Sequence, residues 1–422
     1  MQTINKPTPG VASVPNDRRA PALCCEPALC CAVQARHDAA NDMNQIGRNT
    51  LVIMIRIAGI VVGSLSAILV TSLGASSPWA QSLTPRFEVD LSYPKPLPNK
   101  WVTGGIGGHC IDADDHVLLL NRQDVLDGDL NAGRLAPLMI ELDTSGKVVH
   151  SWGDRNLLEG TVAGFRLGPV SNRLHTCHFD KDNNVWIASS PSGMIQKYTH
   201  DGSKLLQQIG KKGEFDSADG TSKGAPLNSN AARFYAPASI HVDRENGDIY
   251  VADGEPEKSN RRIMVLDASG NFLRQWQPEG MDSVHCMTIA DDGTVYVCNR
   301  TGSRIQLYDK MGRFKRNIDL PWQPVTPPAD GKVKQSGGAT VALALSRDRA
   351  QSLMFVVNQN NSQIDIVERQ SGKLLTSLGE IGKLPGQFDQ AHSVAVDSKN
   401  NLYVGENRGR RIHRFKPIVP PI

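Results

Sequence analysis

The sequence has almost no excess charge of either sign. Its 46 Lys and Arg stand against 43 Asp and Glu, a formal net charge of +3. The first 80 residues hold 6 of the basic and 4 of the acidic side chains, so residues 81–422 carry 40 against 39. A near-neutral body lacks the basic footprint of a nucleic-acid binder. The short clusters Arg408-Gly-Arg410-Arg411 and Arg261-Arg262 read as solvated strand ends rather than phosphate sites. Helical periodicity is nearly absent as well, which leaves an all-β body.

Long hydrophobic runs are scarce. The one uncharged, mostly apolar stretch is Ile57–Leu73, short against the ~20 residues of a spanning helix. Arg48 and Arg56 flank it on the positive side, and Ala80-Gln81 follows small residues as a cleavage point. This reads as a secretory signal and predicts a periplasmic or secreted protein, with an uncleaved membrane anchor as the alternative. Met43 and Met54 would each open such a signal. Residues 1–42 are therefore assigned to a disordered lead or a start-site artefact, 43–80 to the signal and 81–422 to the folded body.

Cysteine is sparse after the signal. Four of the eight lie in CCEPALCC near the N-terminus, which leaves Cys110, Cys177, Cys286 and Cys298. These are expected to be buried thiols. Cys286 and Cys298 fall roughly opposite each other in one hairpin, and the alternative is a disulfide between them in an oxidising compartment.

What is present is a repeat. It reads HCIDADDHVLLLNR (109–122), HTCHFDKDNNVWIASS (175–190), ASIHVDRENGDIYVADG (238–254), HCMTIADDGTVYVCNR (285–300), VALALSRDRAQSLMFVVNQ (341–359) and HSVAVDSKNNLYVGEN (392–407). Each unit is a hairpin: two strands rich in Val, Ile, Leu and Tyr around a turn of Asp, Asn and Gly. Third and fourth strands follow, as in RIMVLDASGNFLRQW (262–276). Four antiparallel strands repeated six times predict a six-bladed β-propeller. The sixth unit has only three strands before the chain ends. RFEVDLSY (86–93) is the expected fourth, closing the ring and hiding an edge.

Aligned on their first strands, the units begin with His109, His175, Ala238, His285, Val341 and His392. First strands line the channel of a propeller, so blades two, four and six aim His175, His285 and His392 at one point from three sides. Three imidazoles with an open fourth position suit zinc, and copper and iron also accept such ligands. His109, read in the same register, is a fourth ligand, a proton carrier or a hydrogen-bonded channel residue. His178, three along from His175, is expected to face away and pack. Arg122, Ser190, Asp253, Arg300, Gln359 and Glu406 close the second strands near the channel rim. Arg122 and Arg300 there suit a substrate carboxylate, or else pair with Asp253 and Glu406. The long Gly-rich loops 153–174 and 211–236 are candidate lids or partner surfaces.

Residues 238–276 resemble the NHL-type blades of the peptidyl-α-hydroxyglycine α-amidating lyases, and the similarity runs from about residue 102 to 417. The resemblance implies that His175, His285 and His392 hold zinc and that Arg122 and Arg300 are active-site arginines. It also implies cleavage of a C-terminal hydroxyglycine into a peptide amide and glyoxylate. Two positions depart from the family. Glu255-Pro256 follows Asp253-Gly254 where the family has its catalytic tyrosine, and Ser393 stands where an aspartate is associated with structural calcium. The calcium contact therefore does not carry over, and Glu255 and His109 become the candidates for general base. The expectation is an exported, monomeric, zinc-dependent lyase. Its substrate would be a small or peptide molecule, carboxylate-bearing or hydroxylated, with no nucleic-acid partner and no membrane contact beyond the export signal. The alternatives are a metal-dependent hydrolase and a non-catalytic NHL propeller that binds a protein or ligand through its rim loops.

Overall fold

The structure, a computed structural model, describes residues 84–419 apart from 127, 154–173, 191, 256–258, 282 and 322–339. The readings of residues 1–83 and nearly all of the loop 153–174 lie outside the described residues.

The sequence units fold as six four-stranded antiparallel sheets. Their innermost strands are Ile106–Ile111, Leu174–Phe179, Pro237–Val242, Val284–Ile289, Thr340–Leu345 and Ala391–Val396. Each packs on the next around the channel, and the sixth returns to the first. Aspartates at the hairpin turns recur for a local reason. Oδ1 of Asp180 accepts from the amides of Asp182 and Asn184, both at 3.0 Å, and Asp397 and Asp267 repeat the motif. A carboxylate satisfying two turn amides is what makes Asp favourable there.

The second strand of every blade is buried from end to end, as in Val117–Asn121 and Ile249–Asp253. Both of its faces meet neighbouring blades, so it reads as an apolar run rather than an alternation. The core is accordingly divided into six clusters, one at each seam. Leu118, Ile187 and Tyr198 fill the seam of blades 1 and 2, and Tyr93, Leu119 and Tyr403 that of blades 6 and 1.

In blade 6 the fourth strand is Arg86–Val89, antiparallel to Ile412–Val419 with Glu88 opposite Lys416. Just beyond it, Asp90 Oδ2 meets Arg414 Nη2 at 2.5 Å and Lys416 Nζ at 2.8 Å. Arg414 also donates to Thr144 O of blade 1 at 2.6 Å. These contacts tie the N-terminal strand, the C-terminal strand and blade 1 together.

Candidate metal centre in the channel

Every innermost strand carries a register shift at the same point. The extra residue is Gly107, His175, Ala238, His285, Val341 and His392 in turn. A bulge inserts one residue and re-aims its side chain, and here it turns that side chain toward the axis. The imidazoles of His175, His285 and His392 meet with ring centroids 4.8, 4.9 and 5.3 Å apart.

Each imidazole is pinned by the bulge of the next blade. Nδ1 of His175 donates to Ala238 O at 2.6 Å, that of His285 to Val341 O at 2.6 Å, and that of His392 to Gly107 O at 2.8 Å. A carbonyl oxygen only accepts, so Nδ1 carries the proton and the Nε2 lone pair faces inward. This is the outer-shell arrangement that orients metal-ligating histidines.

Burial disfavours the charged form of two of these rings. It pushes His285 down to about 4, with Glu255 opposing, and pushes His392 well below the usual histidine range, aided by the charge of Arg122. Glu255 points into the same space. Its Oε2 is 2.5 Å from His175 Nε2 and its Oε1 is 3.4 Å from His285 Nε2. Yet Glu255 Oε2 and both of those Nε2 atoms are buried without a hydrogen bond. An unsatisfied buried polar atom costs about 1–3 kcal/mol, and three facing one another fit a cation that would take all their lone pairs. His₃ with a carboxylate or an open position is a zinc-type donor set.

Burial works to raise the pKa of Glu255, but His285 and His175 outweigh it and hold the carboxyl well below its usual range. Arg300 adds a fixed charge, with Nη1 2.5 Å from Glu255 Oε1 and Nη2 3.3 Å from Gln359 Oε1. Ser190 Oγ donates to the Glu255 carbonyl at 2.7 Å and holds its main chain. Arg122 donates Nε to Leu174 O at 3.1 Å, beside the first ligand strand.

No protein-family model matches the chain. It is 24% identical to peptidyl-glycine alpha-amidating monooxygenase B of Xenopus laevis over 327 residues, 63% of this chain and 35% of that protein. Form A from the same frog is also 24% identical, over 353 residues covering 68% and 35%. The chain thus spans 35% of the length of these relatives. Human NHL repeat-containing protein 3 is 31% identical over 140 residues, 31% of this chain and 36% of that one. A solved virginiamycin B lyase from Staphylococcus aureus superposes with a TM-score of 0.43 at 14% identity, covering 80% of this chain and 90% of its own. Six four-stranded blades make the chain a six-bladed β-propeller, similar over part of its length to a protein named for the NHL repeat.

Within this propeller the site residues fall into two groups. His175, His285, His392, Glu255 and Arg300 come together, with Arg122 alongside. The rest depart from expectation. Gly107, not His109, shares the ligand register, because the bulge of blade 1 lies two residues earlier. His109 sits ~7 Å further along the strand, where its Nδ1 meets Ser393 Oγ at 2.7 Å. His178 does not face away. The bulge upsets the alternation, so it lines the channel and lies tilted against His241, with ring centroids 4.4 Å apart. Asp253 and Glu406 pair with neither channel arginine. Asp253 accepts from Tyr235 N, Ala236 N and Arg262 Nε, and Glu406 from Arg411 and His413. Asp216 shares Arg262 at 3.0 Å and anchors the loop 211–236 to blade 3.

Cys110, Cys177, Cys286 and Cys298 are not thiols. Cys286 and Cys298, directly opposite in register, form a disulfide, and Cys110 joins Cys177 across the seam of blades 1 and 2. The second pairing links strands far apart in sequence, so hairpin register gives no sign of it.

Proposed function

We propose that this propeller is an exported, zinc-dependent lyase of the amidating-lyase kind, acting on a hydroxylated, carboxylate-bearing substrate in the channel. The observation that carries it is the convergence of three pinned imidazoles on Glu255 and Arg300. His175, His285 and His392 would hold the metal through Nε2. A cation there supplies Lewis acidity, which makes a nearby hydroxyl easier to deprotonate.

The chain's own residues do the remainder. Arg300 binds the substrate carboxylate in a forked geometry. Drawn toward that charge, it loosens its hold on Glu255, which becomes a stronger base. Glu255 accepts the hydroxyl proton and delivers it to the departing amide nitrogen. The C–N bond breaks as the new carbonyl forms, giving an amide and glyoxylate. Arg122, whose charge acts on His392, stabilises developing negative charge. Two disulfides in the folded body support export, since such bonds persist in oxidising compartments.

One observation favours a second reading. Glu255 already fills the space in front of the histidines, and closed four-ligand sites are structural. In that case the propeller is a binding module with a structural metal. Glyoxylate release from a peptide ending in α-hydroxyglycine separates the two. The lyase reading predicts turnover by the parent, a loss of about 10²-fold or more in Arg300→Ala, and an inactive Glu255→Gln that keeps its metal. No turnover by the parent, with metal lost from Glu255→Gln, favours the structural reading.

A further inference from the structure

A second set of metal-ligating side chains lies away from the channel axis, at the seam of blades 1 and 2. Asp112 follows the innermost strand of blade 1, and His116 closes its turn. Glu141 is on the third strand, Met139–Leu142, and His200 follows the third strand of blade 2, Met194–Tyr198. Asp112 Oδ2 is 2.9 Å from His200 Nε2 and 3.8 Å from His116 Nδ1, and Glu141 Oε1 is 2.9 Å from His116 Nδ1. We propose that Asp112, Glu141 and His200, whose ligand atoms all lie within 4.8 Å of one another, form a second cation site, with His116 beside it, for a divalent transition metal such as zinc that clasps blade 1 to blade 2.

Charge carries the first part of the case. The side chains of Asp112 and Glu141 are 1% and 5% exposed, and among the described residues only histidines pair with them. Buried carboxylates are matched by a cation or a metal. His116 Nδ1 serves Glu141 and His200 Nε2 serves Asp112, each at 2.9 Å, so each carboxylate has one histidine. A divalent ion between the two carboxylates would serve both at once.

Geometry carries the second part. Tetrahedral zinc with bonds of ~2.0–2.1 Å sets its ligands roughly 3.3 Å apart; Asp112 Oδ2 and His200 Nε2 stand 2.9 Å apart, in a group whose ligand atoms all lie within 4.8 Å. Asp112 Oδ1 is engaged by the amides of Asp114 and His116 at 2.9 and 2.7 Å, which leaves Oδ2 directed at the imidazoles. The His116 and His200 side chains are 29% and 34% exposed, so an ion has a way in. An imidazole among the ligands, with a second beside them, favours zinc or its neighbours over calcium and magnesium. The Cys110–Cys177 disulfide crosses the same seam, so one junction of the ring would carry two staples.

The test is zinc content, by elemental analysis of untagged protein after zinc loading and dialysis, with circular dichroism as the check of folding. Parent protein is compared with His116→Ala/His200→Ala, which alters half-exposed side chains. Loss of about one equivalent supports the site, whether or not the channel also holds an ion. The same pair of changes made in a His175/His285/His392→Ala background takes the content from about one equivalent to none. Equal zinc in the parent and in folded His116→Ala/His200→Ala overturns the proposal. That result leaves the channel reading untouched.

Discussion

Nδ1 of His392 lies 2.8 Å from the carbonyl oxygen of Gly107, across the seam where the last blade meets the first. Closing the ring and aiming a candidate metal ligand are thus one event in this propeller. Gly107 is confined by its neighbours: a Cβ there would sit 1.9 Å from Leu174 O and 2.6 Å from Arg122 Nε. Gly107→Ala is expected to force the seam of blades 1 and 2 apart and to tilt His392. Overpacking of this sort costs about 1–3 kcal/mol. Urea unfolding, with zinc affinity measured alongside, should show both losses, and an unchanged midpoint contradicts the steric account.

The two disulfides should differ in their effect on stability. Cys110–Cys177 closes a separation of 67 residues and Cys286–Cys298 one of 12. Loop-closure entropy assigns about 4 kcal/mol to the first and about 3 kcal/mol to the second. Cys110→Ser/Cys177→Ser should therefore unfold at lower urea than Cys286→Ser/Cys298→Ser. A thiol assay on unfolded residues 81–422 should find no free thiol; four would restore the buried-thiol reading.

Acid should weaken the metal-free protein in a defined window. Burial holds His109, His178 and His285 down to about 4, from an ordinary 6.5, and holds His241 and His392 well below it. Between pH 6.5 and about 4 the unfolded chain takes up protons that the folded chain refuses. Stability therefore falls as pH falls through that range. Melting of chelator-treated protein should drop steadily from pH 7 to pH 4.5, and less steeply in His178→Gln/His241→Gln. A flat profile contradicts neutral buried histidines.

The blades were legible because their turns and strand alternation are local signals. Asp180 and Asp397 announce hairpins through bonds to amides two and four residues on. The three candidate ligands were legible because histidines recur on alternate repeats. The bulge was not, since one inserted residue leaves no mark in composition. Missing it put His109 in place of Gly107 and turned His178 the wrong way. Nor could Asp253 be read correctly, because Tyr235, Asn260 and Arg262, which consume its carboxylate, come together only in the fold. Glu255 was found by its position after Asp253-Gly254, but its approach to two imidazoles and Arg300 needed coordinates.

The channel site is tested most directly by the metal content of untagged residues 81–422 beside a His175/His285/His392→Ala variant of the same chain. Three pinned imidazoles with Nε2 turned inward predict that the folded variant carries about one equivalent of transition metal less than the parent. Equal metal content in the two proteins, after zinc loading and dialysis, would contradict a metal centre in the channel.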